Sequence, residues 1–122
     1  MSEVIHFNWG LHDIDAGMYA NVSLDEYAEN MEVLYGKLKA ALIPGGKLIW
    51  ATTTPVPPSY RGRRNADVVA LNRRMAQLFG PRGKYPEVAE HDLYSEVVAR
   101  CSRQPGSERY PEFKQTSTLR RR

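Results

Sequence analysis

The segment Ser23-Leu24-Asp25-Glu26 constrains this chain more than any other. It is a capping box: the serine hydroxyl and the glutamate carboxylate satisfy the first free amides of a helix. Leu24, Tyr27, Met31, Leu34, Leu38 and Ala41 follow at spacings of three and four, one continuous apolar stripe. Pro44-Gly45-Gly46 is expected to stop this helix. On either side lie apolar runs, Val4–Asn8 and Lys47–Thr54, the second reading "KLIWATTT" and closed by Pro55. β-Branched and apolar residues on both alternations are the pattern of strands in a parallel sheet. A strand, a long helix and a strand in that order make a parallel crossover unit.

The alternation continues. "PVPPSYRGRR" is a loop, stiffened by Pro55, Pro57 and Pro58. Asn65 is placed to cap a second helix through about Phe79, with Val68 or Val69, Leu71, Met75, Leu78 and Phe79 inward. Gly80-Pro81 ends it, Val88–Asp92 makes a short third strand, and Leu93–Cys101 a short helix. From Ser102 onward the chain is polar and basic, so residues 1–101 are expected to form the folded part and 102–122 a tail. Right-handed crossovers between three strands in chain order put both connecting helices on one face of the sheet. The other face is then bare, although the first strand is apolar on both sides. That mismatch predicts an incomplete sheet, or self-association through the exposed face.

Bulk properties narrow the function classes. The 122 residues fit one domain, and the single cysteine, Cys101, excludes an internal disulfide. No run approaches a membrane span and the N-terminus lacks a basic signal region, which predicts a cytoplasmic protein. The net charge of +3 hides a split: residues 1–60 hold 7 acids and 3 bases, residues 61–122 hold 7 acids and 14 bases. No zinc-finger spacing or aromatic–glycine motif accompanies the arginines, so a solvated face is expected rather than a nucleic-acid partner.

In an open α/β sheet, ligands bind beyond the carboxyl ends of the strands. Three loops meet that condition: Asn8–Asp13, Thr52–Pro57 and His91–Tyr94. They bring together two histidines, two aspartates, an asparagine and several threonine hydroxyls. His6, inside the strand, is expected to be a core histidine with a satisfied partner.

"NWGLHD", a capped helix and "LIWATTTPVP" together resemble the central part of the SGNH (GDSL-type) hydrolases, over roughly residues 3–100. The resemblance implies a three-layer, flavodoxin-like parallel sheet, here with about three strands and two to three helices. It implies hydrolysis of a carboxylic ester or acyl linkage by a serine nucleophile, with no metal and no organic cofactor. The family's third block is Gly-x-Asn-Asp; here Gly10-Leu11-His12-Asp13 occupies it, with histidine in place of asparagine. In the family that asparagine holds the oxyanion. His12 would take its place through a ring N–H, with Asn8 close enough to share the task and Gly10 turning the backbone. Asp13 would support the loop through backbone amides, and Thr54 and Tyr60 would line the substrate mouth.

The catalytic triad has no counterpart in these residues. There is no Gly-Asp-Ser block and no Gly-x-Ser-x-Gly elbow. Three residues after Asp13, Asp15, Asp25, Asp67 and Asp92 stand Ala16, Met18, Ala28, Ala70 and Ser95, so the Asp-x-x-His block is missing too. Neither Ser59 nor Cys101 has a base at a motif-like spacing. The chain as given is therefore expected to turn over no ester unless completed by further sequence. Two other readings compete. "LKAALIPGGKLIWATT" also resembles the segment after a helix in class I S-adenosylmethionine-dependent methyltransferases, although Gly-Leu-His-Asp and the Thr-Pro stretch suit the hydrolase better. The third is a non-catalytic fragment that binds a partner.

Overall fold

A computed structural model describes residues 1–15, 22–58 and 62–102. The elements follow the expected order: β1 (Ser2–Phe7), α1 (Leu24–Ala40), β2 (Leu42–Ala51), α2 (Asn65–Ala76), β3 (Ala89–His91) and α3 (Leu93–Cys101). The three strands form one parallel sheet in the order β1-β2-β3. This is the incomplete parallel α/β arrangement that the alternation predicts. The expected tail lies outside the described residues beyond Ser102, as do Tyr60 and Ser59.

α1 begins where the capping box places it: the Ser23 hydroxyl accepts from the Glu26 amide at 3.1 Å. Asp25 and Glu26 in the first turn and Lys37 and Lys39 in the last complement the helix dipole. Tyr27, Ala28 and Met31 are buried, and Leu34, Tyr35 and Leu38 pack partly against the same core. The helix ends at Ala40, before the proline, and Pro44-Gly45-Gly46 instead lies inside β2. The register explains this: Ser2 pairs with Leu42 but Val4 with Lys47, so β2 bulges there and the breakers sit in the bulge.

α2 also departs from expectation. Arg64, not Asn65, stands at its N-cap, and no side chain caps it. The Asn65 amide is engaged elsewhere, accepting from the Val56 amide at 3.2 Å and donating to the Tyr94 hydroxyl at 2.8 Å. The helix ends at Ala76 rather than near Phe79, but turns carry Leu78 and Phe79 into the core all the same. In α3, Asp92 caps through the Ser95 amide at 3.2 Å.

Phe7, Leu48 and Trp50 point to one face of the sheet and are buried. α1 touches both α2 and β2. Phe79 packs edge-on against Phe7, with ring centroids 5.6 Å apart, and beneath Trp50 at 6.1 Å. On the opposite face Val4 is 55% exposed, His6 is exposed and Ile49 is half-buried. The two faces of β1 are therefore unequal, and His6 is not a core residue. α1 is tied to the loop before β3 by Glu32, which accepts from Lys84 and Tyr85 at 2.9 Å each, and by a Tyr35–Tyr85 stack at 3.9 Å. Among the described residues no helix is long and apolar enough to cross a membrane.

Candidate functional site at the carboxyl end of the sheet

β1 runs into Asn8-Trp9-Gly10, and the chain turns there because Gly10 adopts φ +128°, a conformation that side chains oppose. The space is equally restrictive: a Cβ on Gly10 would lie 2.4 Å from Leu71 Cδ2 and 2.9 Å from Thr53 Oγ1. After the glycine, the amides of Asp13 and Ile14 donate to the Gly10 carbonyl and that of Asp15 to His12, closing a compact turn. His12 sits exposed on this turn, while Ile14 and Asp15 are buried beneath it.

Three sets of polar contacts hold the turn. The Thr53 hydroxyl donates to the Trp9 carbonyl at 2.7 Å. Thr53 is itself clamped by Asn72 of α2, whose amide oxygen accepts from the Thr53 N–H at 2.8 Å and whose amide nitrogen donates to its carbonyl at 2.9 Å. Arg63 forms an ion pair with Asp15 at 2.9 Å and donates through Nε to the Leu11 carbonyl; both charged side chains are about nine-tenths buried. Asn8 Nδ2 donates to the carbonyls of Ala51 at 3.3 Å and Thr52 at 2.9 Å, so it laces the end of β1 to the end of β2. Its amide nitrogen is thus engaged with backbone, whereas the His12 ring lies exposed on the turn.

The third loop is joined to the second in the same way. Thr52 Oγ1 accepts from the Tyr94 amide at 2.8 Å and donates to Asp92 Oδ1 at 3.4 Å. Burial pushes the pKa of the Tyr27 phenol well above its ordinary value, and the Asp13 carboxylate adds to the effect. Thr54 is half-buried at the lip of the second loop.

A cleft of about 320 Å³ opens beside the turn, between Ile14, Val22 and Leu24 on one side and Arg64, Asp67 and Ala70 on the other. It lies between the starts of α1 and α2. Arg64 makes a paired contact with Asp67, Nε to Oδ2 and Nη2 to Oδ1 at 3.0 Å each. Among the described residues no group of three or more His, Cys, Asp or Glu side chains is arranged to hold a metal ion.

The structure thus brings Asn8, Gly10, His12, Asp13 and Thr54 to one end of the sheet. Sequence reasoning passed over Asn72, Arg63 and Asp15, which fix the loops together with the hydroxyls of Thr52 and Thr53. Asn72 did leave a signal, being an amide on the apolar side of α2 beside Val68, Leu71 and Met75. The Arg63–Asp15 pair left none, since nothing in the spacing of the two residues joins them. Compared with protein-family models, with curated proteins and with solved structures, the chain matches none.

Proposed function

We propose that this chain carries the oxyanion-side part of a serine-type ester (acyl) hydrolase site, acting on a small-molecule ester and needing a serine nucleophile and an Asp-x-x-His segment from further polypeptide. One observation carries the reading. The Gly10 turn holds an exposed imidazole, His12, at the carboxyl end of β1, on backbone pinned by Thr53 and by the buried Arg63–Asp15 pair. Donors stabilise a developing oxyanion most when their positions are set before the reaction begins. A neutral imidazole offers one N–H for this role and an imidazolium offers two. The adjoining cleft is of a size that suits a small ligand, and it opens where α/β sheets place theirs.

In such a site the serine hydroxyl, its proton taken by the histidine of the missing Asp-x-x-His segment, attacks the carbonyl carbon. The carbonyl oxygen becomes the oxyanion that the His12 N–H would hold, and its collapse breaks the ester bond and expels the alcohol with that proton. The acyl-enzyme then releases its acid on attack by water. Asn8, Gly10 and Asp13 position the turn and take no part in bond making.

The intact mass of the protein from its natural source tests this first. A product well above 13.9 kDa should react at one serine with a fluorophosphonate probe and hydrolyse a p-nitrophenyl ester. There, His12→Ala should lower kcat by about 10²–10³-fold with little change in KM, the loss typical of one oxyanion donor. A natural product of 13.9 kDa, or an active longer one indifferent to His12→Ala, would overturn the proposal. Tight binding of S-adenosylmethionine would replace it with the methyltransferase reading.

A further inference from the structure

On the sheet face away from the core, two histidines 85 residues apart meet: His6 Nε2 lies 3.1 Å from His91 Nδ1. His6 belongs to β1 and His91 closes β3, so the rings reach across β2, beside Ile49 and Ala51, their partners in register. The ring centroids are 5.3 Å apart and the planes are tilted by 37°. Beyond them, Glu96 of α3 places Oε2 3.4 Å from His91 Nε2. A neutral His91 that donates from Nε2 to this carboxylate keeps its Nδ1 lone pair facing His6. The proton in the contact between the rings is then carried by His6 Nε2.

We propose that His6 Nε2 and His91 Nδ1 together chelate one divalent first-row transition ion, with Glu96 holding the His91 tautomer from behind. Two imidazole nitrogens at about 2.0–2.1 Å from one ion stand roughly 2.9 Å apart at a right angle and roughly 3.4 Å apart at a tetrahedral one. The observed 3.1 Å lies inside that bite. Binding turns both rings about their Cβ–Cγ bonds until the two lone pairs converge on one point. His6 is exposed and His91 half-buried, so the outward side of this swing is solvent. The His6 proton moves from Nε2 to Nδ1 through water, and two neutral histidines take up the ion with no net proton released. A carboxylate accepting from the second nitrogen of a ligating histidine is the usual outer partner in such centres, and Glu96 stands in that place.

The donor set decides the ion. Imidazole nitrogens favour copper, nickel and zinc over magnesium and calcium, which take oxygen ligands. Water fills the remaining positions, so Cu2+ binds more tightly than Zn2+ or Ni2+. The ion would join β1 to β3, two strands that share no ladder, across the face of β2 that carries Ile49 and Ala51. It would therefore act as a staple on the sheet, stabilising the native state by mass action because the unfolded chain keeps the two histidines apart.

Calorimetric titration of the untagged protein with Zn2+ and Cu2+, paired with thermal melts in each ion, tests the site. One ion should bind per chain with micromolar affinity, and saturating Zn2+ should raise Tm by several degrees. His6→Ala and His91→Ala should each abolish the rise, and Glu96→Gln should weaken Zn2+ binding roughly tenfold. If His91→Ala does not fold, His6→Ala decides alone, since its side chain is exposed. A rise in Tm that survives His6→Ala, or no binding by millimolar Zn2+, overturns the proposal.

Discussion

Gly10→Ala should be among the most damaging single-methyl additions this chain can suffer. Two separable costs meet at the position. The first is conformational: φ +128° lies where L side chains are rarely found, and holding one there costs about 1–3 kcal/mol. The second is steric. The new Cβ would stand 2.4 Å from Leu71 Cδ2 and 2.9 Å from Thr53 Oγ1. Leu71 is 1% exposed, so it has no solvent to retreat into, and overpacking of this kind adds about 1–3 kcal/mol. Thr53 cannot yield freely either, because moving its hydroxyl breaks the 2.7 Å bond to the Trp9 carbonyl. The sum is about 2–6 kcal/mol, a large share of the stability of a domain this size.

Gly45 supplies the matched control. Its φ is +80°, yet nothing lies within 4 Å of the position a Cβ would take. Gly45→Ala therefore bears the conformational cost alone, about 1 kcal/mol. Urea melts of both variants, compared at unchanged m, separate the two terms. Gly10→Ala should lose at least about 1 kcal/mol more than Gly45→Ala, the lower limit of the steric cost. Equal losses would refute the reasoning, because they would mean that the Leu71 side of the turn gives way without penalty.

Three other perturbations probe the same end of the sheet. Asp15→Asn should cost about 3–5 kcal/mol in urea melts, since it leaves the buried Arg63 guanidinium without that carboxylate, and Asp15→Leu combined with Arg63→Met should recover much of the loss. Asn72→Ala should cost about 2–4 kcal/mol, because the Thr53 N–H and carbonyl both lose their partner, and hydrogen exchange at the Thr53 amide should accelerate with it. Burial raises the pKa of Glu90, and the Asp92 charge raises it further. The folded state thus holds the Glu90 proton more tightly than the unfolded chain does, and ionised Glu90 opposes folding once the pH rises through its folded-state pKa. Glu90→Gln should therefore raise the urea midpoint at pH 7, with the gain vanishing below the ordinary glutamate range; a gain that persists in acid would sink the assignment.

What the sequence made legible was whatever is encoded locally. The start of α1 is written in four consecutive residues, and the Ser23 hydroxyl caps it by accepting from the Glu26 amide. The alternation of strands and helices followed from the apolar runs, whereas the order of the strands in the sheet was a premise that the structure supplies. Where a residue serves two levels of structure, local rules misread it. Asn65 has the chemistry of a helix cap, yet its amide joins the second loop to Tyr94, and the helix starts without a side-chain cap. Pro44-Gly45-Gly46 has the chemistry of a helix stop but is absorbed by a bulge in β2. The site was legible as a place and as a set of loops. The groups that fix it were not, because Arg63, Asp15 and Asn72 act through contacts that only the folded topology creates.

The same contrast explains how the two faces of this sheet divide their roles. On the helix-covered side, Phe7, Leu48 and Trp50 are sealed by α1, α2 and Phe79, and the loops above are laced by threonine, asparagine and one buried ion pair. Every buried side-chain polar atom among the described residues has a partner there. A platform satisfied to that degree has few alternative arrangements, which is what the donor role proposed for His12 needs. β1, however, is paired on one side only among the described strands, so the Gly10 turn ends an edge strand. The outer edge of β1 presents backbone groups that a further parallel strand would bond. A nucleophile delivered by such a strand would emerge next to the Gly10 turn, at the carboxyl end where the three loops already converge. The proposed hydrolase site therefore asks for its missing part at the one place where the sheet can accept a neighbour beside His12.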